Sequence, residues 1–196
     1  MRVPHLSPTT LTADEQRLIL GATASNVRDH TIISLALGTG LRLAEIVGLN
    51  VGDVNAPDGT PRVRVRVRAA IAKGGRAADV FLPDRLVAKL KRFWRWKRTR
   101  GEDLAPDAPL FANQSGRRIS KRRVQFAWAT WQRRAAFDRV YGFHALRHYA
   151  EFRIMPSACR LLKDSASFRW ISRAGAGSDR HNQSPFRKAS TWSSGR

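Results

Sequence analysis

Arg62-Val-Arg-Val-Arg-Val-Arg68 alternates a cation with a β-branched apolar residue without a break. That period of two fits an extended strand with valines inward and arginines outward, and it fits no helix. Dense turn residues precede it, Asn55-Ala-Pro-Asp-Gly-Thr-Pro61, and Ala72-Lys73-Gly74-Gly75-Arg76 separates it from a second short strand, Asp79-Val-Phe-Leu82. The segment is therefore a β-hairpin with Lys73 at its tip. Around it the pattern is helical. Residues 1–11, with Pro4 and Pro8, read as an extended lead-in, and Thr12-Ala-Asp-Glu15 has capping-box spacing ahead of a stripe begun by Leu18, Ile19 and Ala22. Arg28 to Leu37 reads as a second helix burying Ile32, Ile33, Leu35 and Ala36, with His30 structural or exposed. Pro83-Asp84 opens a helix to about Arg98 with Leu86, Val87, Leu90, Phe93 and Trp94 inward and a basic opposite face. A loop from Thr99 to Pro109 and a turn at Ser115-Gly-Arg-Arg118 lead to Ser120, which caps a helix through about Phe137 whose Val124, Trp128 and Trp131 face the core. The fold class expected is mainly α with a small antiparallel hairpin, in one domain from 12 to 150.

Charge narrows the partner. The 196 residues carry a formal net charge of +21. A compact domain with that excess repels itself unless a polyanion shares its surface, which makes double-stranded DNA or another nucleic acid the leading partner and an anionic membrane the runner-up. Residues 1–110 hold 18 Lys+Arg against 11 Asp+Glu, and residues 111–196 hold 18 against 4, so the second part is the more basic. Of the cations 29 are arginine, which suits bidentate phosphate contacts and equally suits the codon bias of a GC-rich genome. Cys159 is the single cysteine, so no disulfide or structural zinc site is available, and a reducing cytoplasm is the expected home. Apolar runs such as Ile32 to Gly38 are too short to cross a bilayer.

Two clusters carry the chemistry. In Gly38-Thr-Gly40-Leu-Arg42-Leu-Ala-Glu45 the glycines end one apolar segment and let a helix start near Leu41 with Arg42 in its first turn. A guanidinium fork at a helix N-terminus favours phosphate, and Glu45, three residues on, shares its face and can orient it. The competing reading is an ordinary surface ion pair. In Phe143-His144-Ala-Leu-Arg147-His148-Tyr149, His144 and Arg147 share one face of a short helix and His148 can join them. Lys73 on its Gly-Gly turn is by default solvated. Arg62, Arg64, Arg66, Arg68 and Arg76 read as a charged edge that discourages sheet pairing or as phosphate contacts. Lys121, Arg122 and Arg123 crowd a helix N-terminus where the macrodipole disfavours cations, a cost that a nearby phosphate would relieve.

Taken in order, Thr39-Gly-Leu-Arg42-Leu-Ala-Glu45, the hairpin Lys73-Gly-Gly-Arg76 and His144-Ala-Leu-Arg147-His148 resemble the catalytic domain of the tyrosine recombinases, the phage-integrase family. The resemblance covers about residues 10 to 150. It implies that Arg42 and Arg147 clamp the scissile DNA phosphate, that Lys73 protonates the departing 5′ oxygen, that His144 assists proton transfer, and that Glu45 and His148 support them. It also implies strand cleavage and rejoining without metal or cofactor, by protomers assembled on DNA. Two forks set on the non-bridging oxygens stabilise charge that develops in the transition state.

One part of the pattern is missing. The family places a Gly-His motif about two dozen residues after the histidine and a nucleophilic tyrosine some nine later; here that slot holds Asp179, and the only tyrosines are Tyr141 and Tyr149. Trp170 stands near the position of a third phosphate ligand, but its neighbours do not match and the coincidence carries no role. From Glu151 to Arg196 the helical period fades into Ser, Arg and Gly, which reads as a divergent basic tail, loop or disorder, of the kind that a frameshift or divergence near Ala150 leaves. The family's separate N-terminal DNA-clamping domain is not expected in a chain with so short a lead-in. The chain is expected to be defective in cleavage, its nucleophile unknown. The alternative is a non-enzymatic DNA-binding remnant that occupies recombination sites, and a third reading is a general basic RNA-binding protein.

Overall fold

The computed structural model describes residues 10–147; most of the lead-in, His148, Tyr149 and the tail with Trp170 lie outside the described residues. Helix α1 (Ala13–Ala22) starts at the expected capping box, in which Glu15 N–H donates to Thr12 Oγ1 at 3.2 Å and Thr12 N–H to Glu15 Oε2 at 2.7 Å. Ile19 takes the core position and is fully buried, leaving Leu18, expected on the same stripe, 53% exposed. The two are about 100° apart around the axis, so only one can point inward. Helix α2 (Val27–Thr39) is capped by Asn26 and buried on every side from Thr31 to Ala36. Packing therefore surrounds it: α5 (Asp84–Thr99) lies along one side, α1 and α3 (Leu43–Gly48) cover others, and α6 (Lys121–Arg134) packs on α1 and α3.

Helices α3 (Leu43–Gly48) and α4 (Val51–Val54) follow the Gly40 turn. Strands β1 (Arg64–Val67) and β2 (Ala78–Phe81) pair antiparallel, Arg64 opposite Phe81 and Val67 opposite Ala78. Val65 and Val67 point inward as the alternation requires. The strand is shorter than the alternating run, because its ends do other work. Val63 is exposed, and Arg68, expected to point outward, turns onto α3 and α4, donating from Nε to Asp53 at 2.9 Å and from Nη2 to the Gly48 carbonyl at 2.9 Å.

Helix α5 (Asp84–Thr99) buries Leu86, Leu90 and Phe93, and the next residue of that stripe is Lys97. Its ammonium, only 1% exposed, donates to Glu102 at 2.8 Å just beyond the helix. A buried lysine requires such a partner, and the pair closes the loop that follows. Helix α6 (Lys121–Arg134) ends three residues before the expected Phe137, since Ala136 adopts a left-handed φ of 53°. Trp128 and Trp131 are core residues, as expected, and the Trp131 indole donates to Asp29 at 2.8 Å. Among the described residues no helix is long and apolar enough to cross a membrane.

His30 has a structural role and a pH consequence. Its Nδ1 lies 3.0 Å from Thr23 Oγ1, and burial, then the charges of Lys89 and Arg92, lower its pKa from 6.5 to about 4. Unfolding restores the higher value, so the unfolded chain binds the extra proton and stability falls as pH drops from about 6.5 to 4. After solvent screening the loss is about 1–2 kcal/mol. Chemical denaturation of the wild type and His30→Gln across this window is expected to show the slope in the first and a flatter line in the second.

Candidate active site

Gly40, with φ 66°, closes α2 through its N–H to the Ala36 carbonyl and reverses the chain at a conformation that glycine adopts at low cost. Arg42 is then the N-cap of α3, one position before the first turn in which it was expected. Its own N–H donates to Glu45 Oε2 at 2.8 Å and its Nη1 to Glu45 Oε1 at 3.3 Å. The backbone donor expected to meet an anion is thus taken by Glu45, and the phosphate-binding capacity of this end rests on the guanidinium. The Arg42 side chain is 37% exposed while Glu45 is 9% exposed, so the pair is not an ordinary surface ion pair. Glu45 Oε1 also accepts the Lys73 N–H at 3.3 Å. One buried carboxylate therefore orients Arg42 and anchors the hairpin tip.

Lys73 itself is exposed. Gly74 and Gly75 follow it with φ of 85° and 67°, so the tip turns in a conformation that side-chain-bearing residues rarely adopt. At its far end α3 is held by two arginines: Arg68, described above, and Arg118, whose Nη1 donates to the Val47 and Leu49 carbonyls, each at 2.8 Å. These bonds satisfy the carbonyls that any helix end leaves open. Arg118 was legible in the sequence only as part of a turn.

The second cluster is fixed by a clamp on Tyr141. Gln132, 1% exposed, accepts the Tyr141 N–H at 2.7 Å and donates to its carbonyl at 3.1 Å, and the Trp128 indole donates to the same carbonyl at 2.7 Å. Phe143 packs edge-on against Trp128, and Leu146 is fully buried. Helix α6 thus carries the His144 turn, and α6 packs against α3. Residues 145–147 are helical, the Arg147 N–H donating to the His144 carbonyl at 3.0 Å. His144 is exposed and Arg147 half-buried. The His144 ring folds back over Gly142, where a Cβ would lie 2.7 Å from Cε1, so a side chain at 142 would move the ring.

Tyr141 points away from this turn. Its hydroxyl donates to Glu15 Oε1 at 2.6 Å and accepts from Arg139 Nε at 2.5 Å. Burial first, then the Glu15 carboxylate, raise its pKa above 10 and disfavour the phenolate. Of the remaining cations, Arg62, Arg66, Arg76, Lys121, Arg122 and Arg123 are exposed, Arg64 is paired across the hairpin with Asp79, and Arg68 is engaged as described.

Solved structures of recombinases share this fold. Over 79% of this chain and 53% of the other, the XerA recombinase superposes with a TM-score of 0.65 at 22% identity. The lambda integrase catalytic core gives 0.57 at 20% identity, over 76% of this chain and 84% of that one. The fold is therefore that of a tyrosine recombinase catalytic domain. In sequence, the tyrosine recombinase XerC of Vibrio cholerae serotype O1 is 34% identical over 144 residues, 72% of this chain and 43% of the relative. XerC of Neisseria meningitidis serogroup B is 33% identical over 122 residues, 62% of this chain and 37% of the relative. The chain spans less than half the length of these curated relatives. The sequence pattern of the phage integrase family matches residues 9–170, and the chain belongs to that family. The match runs past Ala150, where the three motifs end, to residue 170, outside the described residues.

Proposed function

We propose that this chain is the phosphate-binding scaffold of a tyrosine-type site-specific DNA recombinase or integrase, and that as written it binds duplex DNA without completing strand cleavage. The observation that carries the reading is the buried Glu45 carboxylate, which holds Arg42 and also accepts the backbone N–H of Lys73, 28 positions further along the chain. An ordinary surface pair has no use for a third donor from a hairpin tip. In this reading Arg42 and Arg147 hold the non-bridging oxygens of one phosphate, Lys73 gives a proton to the departing 5′ oxygen, and His144 moves a proton at the attacking group, with Glu45 and His148 in support. The exposed Arg62, Arg66, Arg76 and Lys121 to Arg123 extend the contact along the backbone. XerH has been solved bound to a difH substrate and lambda integrase as a tetramer on a Holliday junction. By analogy the chain would work as a homo-oligomer on DNA, in the cytoplasm at the nucleoid, with no membrane partner.

Asp179 in the nucleophile slot favours a second reading, a DNA-binding remnant that occupies recombination sites without reaction. The two share their first test. Duplex affinity is expected to fall steeply with salt, the log–log slope growing by about 0.9 for each phosphate neutralised. A flat dependence between low and moderate salt, measured by fluorescence anisotropy, would overturn both. The coding DNA beyond codon 150, read in the other two frames, separates them: a Gly-His motif followed by a tyrosine points to an interrupted recombinase.

A further inference from the structure

The solvent face of α5 is a cationic surface that the site above does not use. Lys91, Arg92, Arg95 and Arg98 are all exposed, and 91, 95 and 98 follow one another at i, i+4 and i+7. Like charges at these spacings repel along a helix. Among the described residues none of the four pairs with a carboxylate: Asp84 starts the helix, and Glu102, just past its end, is taken by Lys97 and Arg100. The helix tolerates the repulsion because Leu86, Leu90 and Phe93 fix it to the core. A polyanion laid on the face would relieve it.

The face lies apart from the Arg42 site. Leu86 packs beside Gly38 near the end of α2, and Lys89 Nζ donates to Ser34 Oγ at 2.8 Å, one turn earlier on α2, so α5 runs back along α2. From Leu86 to Arg98 the axis advances about 18 Å away from the Gly40 turn. Helix α6, which carries the His144 turn, packs on α1 and α3, while α5 packs on α2. From Lys91 to Arg98 the stripe is about 10 Å long, the rise of about three phosphates on one strand. It has no exposed large apolar residue, as an interfacial membrane helix would need.

We propose that the outer face of α5, through Lys91, Arg92, Arg95 and Arg98, binds the phosphate backbone of a second DNA duplex, so that one chain bridges two duplexes. This rests on the reading that the chain binds duplex DNA at the Arg42 site. The test uses the full chain, a duplex fixed to beads and a second, labelled duplex in solution. Replacing Lys91, Arg92, Arg95 and Arg98 together by Gln is expected to reduce capture of the second duplex about tenfold or more while changing affinity for a single duplex about threefold or less. The charge-matched control replaces Arg169, Arg173, Arg180 and Arg187 by Gln and is expected to keep capture. Arg95→Glu alone, which leaves the rest of the helix intact, is expected to lower capture about threefold. Equal loss in the α5 and control variants would show a general charge effect and overturn the proposal. Full capture by the α5 variants would overturn it too, as would loss of polyglutamate binding, an acidic-protein mimic, with the second duplex still captured. Wild-type chain that binds one duplex but captures no second defeats this inference alone; chain that binds none defeats the function proposed above as well.

Discussion

Incubated with end-labelled nicked suicide duplexes of randomised sequence, the unmodified chain is expected to leave no protein-linked DNA on a denaturing gel. A covalent intermediate requires an oxygen nucleophile in line with phosphorus, opposite the leaving oxygen. The chain has two tyrosines. Tyr141 spends its hydroxyl on Glu15 and Arg139, with its backbone clamped by Gln132, and its raised pKa opposes the phenolate. Tyr149 lies outside the described residues; its place two positions after Arg147 predicts, at helical spacing, a side chain about 200° around the axis from the arginine. Tyr141 does not satisfy the requirement, and Tyr149 is not expected to. A protein-linked band abolished by Tyr149→Phe would show the nucleophile to be there after all.

Arg42→Lys and Arg147→Lys are each expected to weaken binding to nicked duplex about tenfold or more, because an ammonium is a point charge and cannot reproduce a bidentate fork. The double substitution distinguishes a shared phosphate from two separate contacts. If both forks close on one phosphate, losing either loosens the hold of the other, and the double-mutant cycle is expected to give a coupling of about 1 kcal/mol or more. Losses that add to within about 0.5 kcal/mol would place the two arginines on different phosphates. Glu45 supports the first fork from the buried side, so the expectation also requires that Arg42 keep its orientation before DNA arrives.

Local chemistry made much of this fold legible. Thr12 and Glu15 satisfy each other's backbone donors within four residues, and the alternation at Val65 and Val67 can be met only by a strand with one face inward. What escaped the sequence depends on contacts that only the folded chain makes. Arg68 continues the alternating run, yet it turns onto Asp53 and Gly48, because the end of α3 leaves carbonyls that need donors and only the fold brings that end within reach. Lys97 falls on the apolar stripe of α5, and nothing nearby announces that Glu102 will fold back to it. At the site, the Arg42 and Glu45 pair followed from i, i+3 spacing. The third donor, Lys73 N–H, comes from a hairpin far along the chain and was visible only as part of an ordered set of motifs. The clamp of Gln132 and Trp128 on Tyr141 has no sequence signal, since a glutamine on the inner face of a basic helix reads as one more polar residue.

In the function proposed above, Arg42, Lys73, His144 and Arg147 form a competent cleavage scaffold deprived of its nucleophile. The direct test joins, in frame after Ala150, the C-terminal segment of the Vibrio cholerae relative and repeats the suicide-substrate gel. A protein-linked labelled band is expected from the joined chain, reduced about 10²–10³-fold by Arg42→Ala. A folded, DNA-binding joined chain that forms no adduct, or one whose adduct is indifferent to Arg42, would contradict that function.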